Sequence, residues 1–407
     1  MSASSLVQQG ANARKAFLAG FLGWTFDAFD FFILTYVLAQ LAKDFHRPIS
    51  DIALMLTASL VMRPVGAVLF GLLGDRYGRR RPLMINILFN SCIEVLSGLA
   101  PSYHALLLLR LLFGIGMGGV WGLGASLAME SVPAERRGTF SGILQEGYVI
   151  GNLLAAVAFW TVFPRWGWRP MFFLSIVPAL LTVLILSRVE ESKAWKVAAA
   201  SKKDWKDYFG TIVASGRRLL YLSVLMSVMG FLSHGSQDLY PTFLQQQLHF
   251  SPSLTAIIGV ISMLGAILGG SLGGFLSDRQ GRRRTMITAE LGALLLIPLW
   301  VFSHGIALIA AGAFLMQFMV QAAWGVIPAH INELIPSKVR ALLPGFAYQI
   351  GILIASAAPY LEALATRHFT YGQAMGTVLA IVIVVGVIVI AAGPEARNVA
   401  FGQDPGH

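Results

Sequence analysis

Residues Gly71 to Arg81 read Gly-Leu-Leu-Gly-Asp-Arg-Tyr-Gly-Arg-Arg-Arg. Residues Gly274 to Arg284 read Gly-Phe-Leu-Ser-Asp-Arg-Gln-Gly-Arg-Arg-Arg, 203 positions later in a chain of 407. The same displacement relates Trp121 to Trp324, Gly122 to Gly325, Glu130 to Glu333, Pro133 to Pro336, Arg137 to Arg340 and Gly142 to Gly345. So many matches at one displacement mean that the chain is two copies of one half. Whatever one half folds into, its near-replica must pack against it.

The copies are made of long apolar runs. Hydrophobic residues are 56% of the chain and charged ones 12%, more apolar surface than a water-soluble domain of this length needs. A bilayer-spanning helix takes roughly 20 mostly apolar residues. The chain divides into twelve such runs, six per copy: 16–42, 51–74, 82–100, 104–129, 138–163, 168–188, 217–247, 254–276, 284–303, 305–328, 341–363 and 371–393. They are long and continuous, unlike the short alternating strands of a membrane barrel. The first is too long and too acidic for a cleaved leader, and no small-residue cleavage site follows it. The expected fold is an all-α integral membrane protein with twelve spanning helices in two pseudo-symmetric lobes, 1–188 and 217–407, joined by a polar linker at 189–216.

A net charge of +10 could suggest nucleic acid, but its distribution argues against such a partner. With the N-terminus inside, 23 Lys and Arg fall on the inner side and five on the outer (Lys43, Arg47, Arg165, Arg169 and Arg367), with Arg63 and Arg110 in the membrane. This asymmetry is an orientation signal. It predicts a plasma (inner) membrane protein with both termini cytoplasmic, anionic lipid assisting. The one cysteine, Cys92, excludes an internal disulfide and reads as a small buried side chain. In the linker, Glu190, Glu191, Lys193, Lys196, Lys202, Lys203, Asp204, Lys206 and Asp207 alternate with Trp195, Trp205, Tyr208 and Phe209. That pattern suits an amphipathic segment on the inner leaflet or a plain tether. No connection is long enough for a soluble domain, so function must sit in the helix bundle.

Glycines gather in the fourth run (Gly114, Gly116, Gly118, Gly119) and the eighth (Gly265, Gly269, Gly270, Gly273, Gly274), giving small faces along which helices approach closely. The twelve runs, the Gly-x-Leu-x-Asp-Arg-x-Gly-Arg-Arg loop present in both halves, and the Arg110-to-Gly118 pattern together resemble the major facilitator superfamily over the whole chain. The resemblance implies two lobes rocking about a central site that opens to one side at a time. The loop also has a physical reading of its own. Asp75 ends the second run, within reach of an arginine or of a helix N-terminus, which favours an anion. Arg79 to Arg81 suit Glu130 or Glu135, and by the repeat Asp278 and Arg282 to Arg284 face Glu333. Such pairs between lobes make an inner gate of Asp75, Arg79, Glu130, Asp278, Arg282 and Glu333, while the arginines also enforce topology.

Ionisable side chains at membrane depth are costly and mark pathways. Arg63, in the middle of the second run, has a planar fork that suits a carboxylate, whether a substrate's or that of Asp27 or Asp30. Asp27 and Asp30 are three apart, so they share a helix face; two such close carboxylates do not easily both ionise, and one becomes a proton carrier. His234 and Asp238 are four apart within Ser233-His-Gly-Ser-Gln-Asp, a polar cluster in an otherwise apolar run. His with a carboxylate can exchange a proton, and Gln237 can bind a small polar substrate. Pro241 then interrupts the helix. Glu146 is a further proton-site candidate, Gln145 a cavity-lining one, and Glu94 with Arg110 a structural pair.

The stretch Ser-His-x-Ser-Gln-Asp-x-x-x-Thr, Ser233 to Thr242, resembles the signature of the Jen-type lactate and pyruvate permeases of fungi, within the sialate:proton symporter family. The run Phe26-Asp27-Ala28-Phe29-Asp30-Phe31 and Arg63 fit it too. The resemblance implies proton-coupled monocarboxylate uptake with Arg63, His234, Gln237 and Asp238 at the site, and Gln349, which matches the family pattern in the eleventh run, is expected to bind substrate on the cavity wall with them. Two positions depart from it: Gly230 and Ile352 stand where the pattern has Asn. The sialic acid carriers of that family have extra helices between their halves, which 189–216 is too short and too polar to supply, so a small substrate is favoured.

The expected function is therefore proton symport of a small monocarboxylate such as lactate or pyruvate. An aromatic (benzoate-like) or other organic acid:proton symporter is the alternative, and a drug:proton antiporter is less favoured because the fifth run lacks a Gly-Pro motif. A membrane enzyme is disfavoured: no His-x-x-x-His occurs and the eight histidines are scattered. The expected partners are a small organic anion, protons and the bilayer, for a monomer with no metal and no cofactor beyond the cotransported proton.

Overall fold

Each apolar run folds as helix, and no strand occurs among the described residues. The computed structural model describes residues 3–200, 204–399 and 401; Lys202 and Lys203 of the linker lie outside the described residues. The first lobe holds α1 (Ala3–Asp44), α2 (Ile49–Tyr77), α3 (Arg80–Gly98), α4 (Tyr103–Ser131), α5 (Arg137–Thr161) and α6 (Arg169–Phe173, continuing as Ile176–Ser187). The second holds α7 (Gly216–Gln237), α8 (Pro252–Gln280), α9 (Arg282–Val301), α10 (Ile306–Trp324, then Ile327–Glu333), α11 (Leu343–Ala355, then Ala358–Ala365) and α12 (Tyr371–Ala392). Among the described residues, 10 helices are long and apolar enough to cross a membrane. The two that are not are α3, whose buried face carries Asn86, Asn90, Ser91, Glu94 and Ser97, and the interrupted α11.

The interruptions follow proline chemistry. A proline has no N–H for the carbonyl four residues back. Accordingly α7 stops at Gln237 before Pro241, the long part of α10 at Trp324 before Pro328, and the first part of α11 at Ala355 before Pro359. Beyond Gln237 the chain continues as Tyr240–Thr242 and a wide turn, Phe243–Gln247.

Packing repeats as the sequence does. α2 lies along α4 and α8 along α10, α1 packs on α5 and α7 on α11, and the lobes meet through α5 with α8 and α2 with α11. The α4 glycines serve this: a Cβ on Gly118 would collide with the main-chain carbonyl of Arg63, so the small face draws α2 in and fixes where Arg63 sits.

Both ends of the described chain lie toward one face, where the Asn12 side chain accepts from the Glu190 amide at 2.7 Å and the Val399 carbonyl accepts from Arg137 at 2.9 Å. On this terminal face α2 ends at Gly78 (φ 98°) and α8 at Gly281 (φ 100°), conformations open to glycine without a steric penalty. Glu191 accepts from the amides of Arg79 and Arg80 at 3.0 and 3.1 Å, and Glu395 from those of Arg282 and Arg283 at 3.1 and 3.0 Å. A carboxylate therefore caps α3 and α9 alike.

Two sequence expectations change. Cys92 is exposed on α3: it falls on the helix face opposite the buried Asn90–Glu94 side. The linker is neither a tether nor only a surface segment. It forms two helices, Lys193–Ala200 and Trp205–Ala214. From them the Trp195 indole donates to the Asp75 carbonyl at 2.9 Å and the Tyr208 hydroxyl to the Asp75 carboxylate at 3.1 Å. Trp205 and Phe209 remain exposed.

Candidate functional site: a central cavity above a latched face

The terminal face is closed by two matching latches. Asp75 accepts from the amides of Ala341 and Leu342, at the start of α11, at 2.9 and 3.2 Å. Asp278 accepts from the amides of Gly138 and Thr139, at the start of α5, at 2.7 and 2.8 Å, and from the Thr139 hydroxyl at 2.7 Å. Each motif carboxylate thus caps a helix of the other lobe, where free N–H groups and the helix dipole favour an anion.

The arginines are arranged differently from the cross-lobe pairing expected. Arg79 meets Asp75 at 2.9 Å and Glu130 at 3.1 Å, and Arg282 meets Asp278 and Glu333 at 2.9 Å each. All of these pairs lie within one lobe, because the carboxylates follow the neighbouring helix of the same half. The charges that cross are Arg340 to Glu130 at 3.4 Å and Arg137 to Glu333 at 3.0 Å. Arg79 also donates across, to the Ser337 carbonyl at 3.0 Å. Burial pulls Arg340 down to about 10 against the pull of Glu130, so it remains a cation at neutral pH. Burial works against the charge on Arg79 as well, but Glu130 and Asp75 outweigh it and hold its pKa above the ordinary value. Burial and the Asp75 carboxylate raise the Tyr208 hydroxyl, which therefore stays a donor.

Above this latch, between the lobes and toward the opposite face, lies a cavity of about 500 Å³. Arg63, Gln145, His234, Gln237 and Asp238 all line it. Arg63 is 4% exposed, its Nε has no hydrogen-bond partner, and among the described residues it forms no ion pair. Across from it, His234 Nδ1 and Asp238 Oδ2 are 3.0 Å apart, and Gln237 donates to the Ser233 hydroxyl at 3.0 Å. The α7 break at Pro241 places this polar turn on the wall.

The other sequence candidates lie behind the walls. Asp27 accepts from Asn90 at 3.1 Å, and Asp30 is buried with one carboxyl oxygen unpartnered among the described residues. Neither lines the cavity. Glu94 and Arg110 form the expected pair, at 2.9 Å. Gln349 is buried between the lobes and donates to the Gly118 carbonyl at 3.3 Å, so it is absent from the cavity wall. Glu146 sits at the α5–α8 contact, against Gly270.

Sequence reasoning missed the aromatic floor. Tyr348 stacks on Trp121 at 4.1 Å and meets Trp324 edge-on at 6.0 Å, and Tyr148 stacks on Trp24 at 5.3 Å. The Trp121–Trp324 repeat pair was the available signal: both indoles converge on one ring. Also missed were Gln317, which donates to the Ser236 hydroxyl at 3.0 Å, and Glu362, fully buried beside Gly235.

Two six-helix lobes around a central polar cavity, sealed on one face, define a multi-pass membrane carrier. The family model of the Major Facilitator Superfamily matches residues 20–237 and again 238–404, and the chain belongs to that superfamily. The chain is 32% identical over 390 residues to the carboxylic acid transporter protein homolog of Saccharomyces cerevisiae, covering 89% of this chain and 63% of the yeast protein, so it spans less than two thirds of that relative. It is 30% identical over 397 residues to the probable 4-methylmuconolactone transporter of Cupriavidus pinatubonensis, covering 95% of this chain and 92% of that one. The fold matches the proton:xylose symporter XylE with a TM-score of 0.78 at 18% identity, over 97% of this chain and 98% of the other.

Proposed function

We propose that this chain is a proton-coupled symporter that takes up a small monocarboxylate, lactate or pyruvate, by alternating access. The observation that carries the reading is Arg63: a buried guanidinium on the cavity wall that makes no ion-pair contact with a carboxylate among the described residues. A buried cation calls for an anion, and a carboxylate fits its fork in two parallel hydrogen bonds. The names of the relatives, a carboxylic acid transporter homolog and a muconolactone transporter, support an organic acid.

On this reading Arg63 holds the carboxylate, while Gln145 and Gln237 contact the remainder of the substrate. The His234–Asp238 pair takes up the cotransported proton, with Asp27 and Asp30 as reserve sites behind the wall, so proton and substrate charges cancel. The terminal face is cytoplasmic, as the Lys and Arg asymmetry requires. The conformation described then has its inner side shut and its cavity directed outward. An aromatic acid is the second reading, favoured by the Tyr148 and Tyr348 floor.

The test is radiolabelled L-lactate uptake into proteoliposomes with and without an inward proton gradient. The native chain accumulates lactate only with the gradient. Arg63→Ala loses about 100-fold, the worth of two charge-assisted hydrogen bonds at about 1.5 kcal/mol each. Uptake that survives in Arg63→Ala would move the anion site elsewhere. No lactate uptake by a well-folded native chain, with benzoate taken up instead, would select the aromatic reading.

A further inference from the structure

Positions 146 and 349 are 203 apart, and so are equivalents in the two copies, yet one is Glu and the other Gln. Gln349, on α11, is 1% exposed, and its amide donates across the lobe interface to the Gly118 carbonyl of α4. The equivalent of Gly118 in the second copy is Gln321, on α10. Glu146, on α5, is 4% exposed and stands so close to α8 that a Cβ on Gly270 would collide with its Oε1. The Gln321 carbonyl lies 3.4 Å from that same Cβ position. Both Glu146 oxygens are buried without a hydrogen-bond partner among the described residues. Gly270 of α8 and the Gln321 carbonyl of α10 lie beside it, and it forms no ion pair among the described residues. An ionised carboxylate has no donor to offer a carbonyl, and would be buried uncompensated. A protonated carboxyl has one O–H and can do what the Gln349 amide does.

We propose that Glu146 is a proton-binding site built into the α5–α8 lobe interface, its O–H serving there as the protonatable counterpart of the fixed Gln349 amide. The inference rests on the proton-coupled reading above and names where the proton taken up at the His234–Asp238 pair is held before its release. While the terminal face is latched, the carboxyl is neutral and donates toward the Gln321 carbonyl. When α5 and α8 part, it meets water and gives the proton up to that side as its anion becomes solvated. Gln145, the next residue, lines the cavity, which brings the loading side within one residue. The two lobe contacts are therefore unequal: α2–α11 is fixed by an amide, and α5–α8 is sensitive to protonation.

The experiment places spin labels on cysteines replacing Glu135 and Gln280, both exposed on the terminal face, in the full chain with Cys92→Ser, in lipid nanodiscs. The native interface is expected to open as pH rises, by up to about tenfold in open population per pH unit for one linked proton. Glu146→Gln stays closed at every pH. The exchanged variant, Glu146→Gln with Gln349→Glu, regains a pH response because a protonatable donor is back in the interface. A native distance that does not change with pH, or a Glu146→Gln variant that titrates like the native chain, overturns the proposal. L-lactate uptake by the same preparations separates the two readings. Titration that is lost in Glu146→Gln without native lactate uptake keeps this proposal and sinks the substrate assignment; lactate uptake with titration unchanged in Glu146→Gln does the reverse.

Discussion

Asp75 and Asp278 are repeat equivalents doing the same work, each accepting main-chain amides from a helix of the other lobe. Arg63 and His234 are matched by Ala266 and Phe31, residues of quite different chemistry that line the same cavity. The latch is where the copies agree and the cavity is where they differ. A gate must close symmetrically about the axis that relates the lobes, so both copies are held to one pattern. A small asymmetric anion needs a cation on one wall and hydrogen-bonding groups on the other, so there the copies diverge.

That contrast can be attacked directly by making the cavity symmetric. Arg63→Ala copies Ala266 into the first half and gives the largest expected loss, the hundredfold drop in uptake above. His234→Phe copies Phe31 into the second half and removes the His234–Asp238 contact. It should cut gradient-driven uptake by about tenfold or more, the scale of one hydrogen bond to a charged group, while gradient-free exchange of labelled L-lactate persists. Exchange lost together with driven uptake would assign His234 to substrate contact and not to the proton.

The latch predicts the opposite behaviour, equal effects in the two halves. Asp75→Asn weakens a carboxylate's hold on the α11 start, and Asp278→Asn does the same at α5. Losing charge assistance of about 1.5 kcal/mol in each should raise amide hydrogen exchange by about tenfold. The affected amides are Ala341 and Leu342 in the first case, and Gly138 and Thr139 in the second. Strongly unequal changes would break the claim that the two latches are equivalent. The smallest effect belongs to the hydroxyl donor that Asp75 takes from the linker, where Asp278 takes one from Thr139. Tyr208→Phe removes a neutral donor from Asp75 and should speed exchange at Ala341 by about fivefold, about 1 kcal/mol, leaving Gly138 unchanged.

The same contrast explains what could be read from the sequence. Twelve apolar runs and one displacement of 203 gave the lobes and the latch residues, because hydropathy and repetition are local in the chain. The break in α7 was visible at Pro241. The choice between Asp75 and its candidate partners was not, since main-chain amides of α11 leave no mark in side-chain identity. Nor did Glu191 and Glu395 stand out, because a carboxylate capping a distant helix looks like any surface charge. Gln349 was expected on the cavity wall and lies between the lobes, because family pattern carries residue type but not the direction of a side chain. Tyr148 and Tyr348 were passed over because an aromatic ring in a membrane helix most often packs against lipid or core.

The most direct test of the central claim, an anion held by Arg63 and neutralised by a cotransported proton, is lumenal pH. Proteoliposomes loaded with a pH-sensitive dye are given external L-lactate at constant external pH, with protein-free vesicles subtracted. The account predicts that the lumen acidifies as lactate enters through the native chain and that Arg63→Ala abolishes the protein-dependent acidification. Lactate entry through the native chain without acidification would contradict proton coupling, and equal acidification in Arg63→Ala would contradict the role given to the arginine.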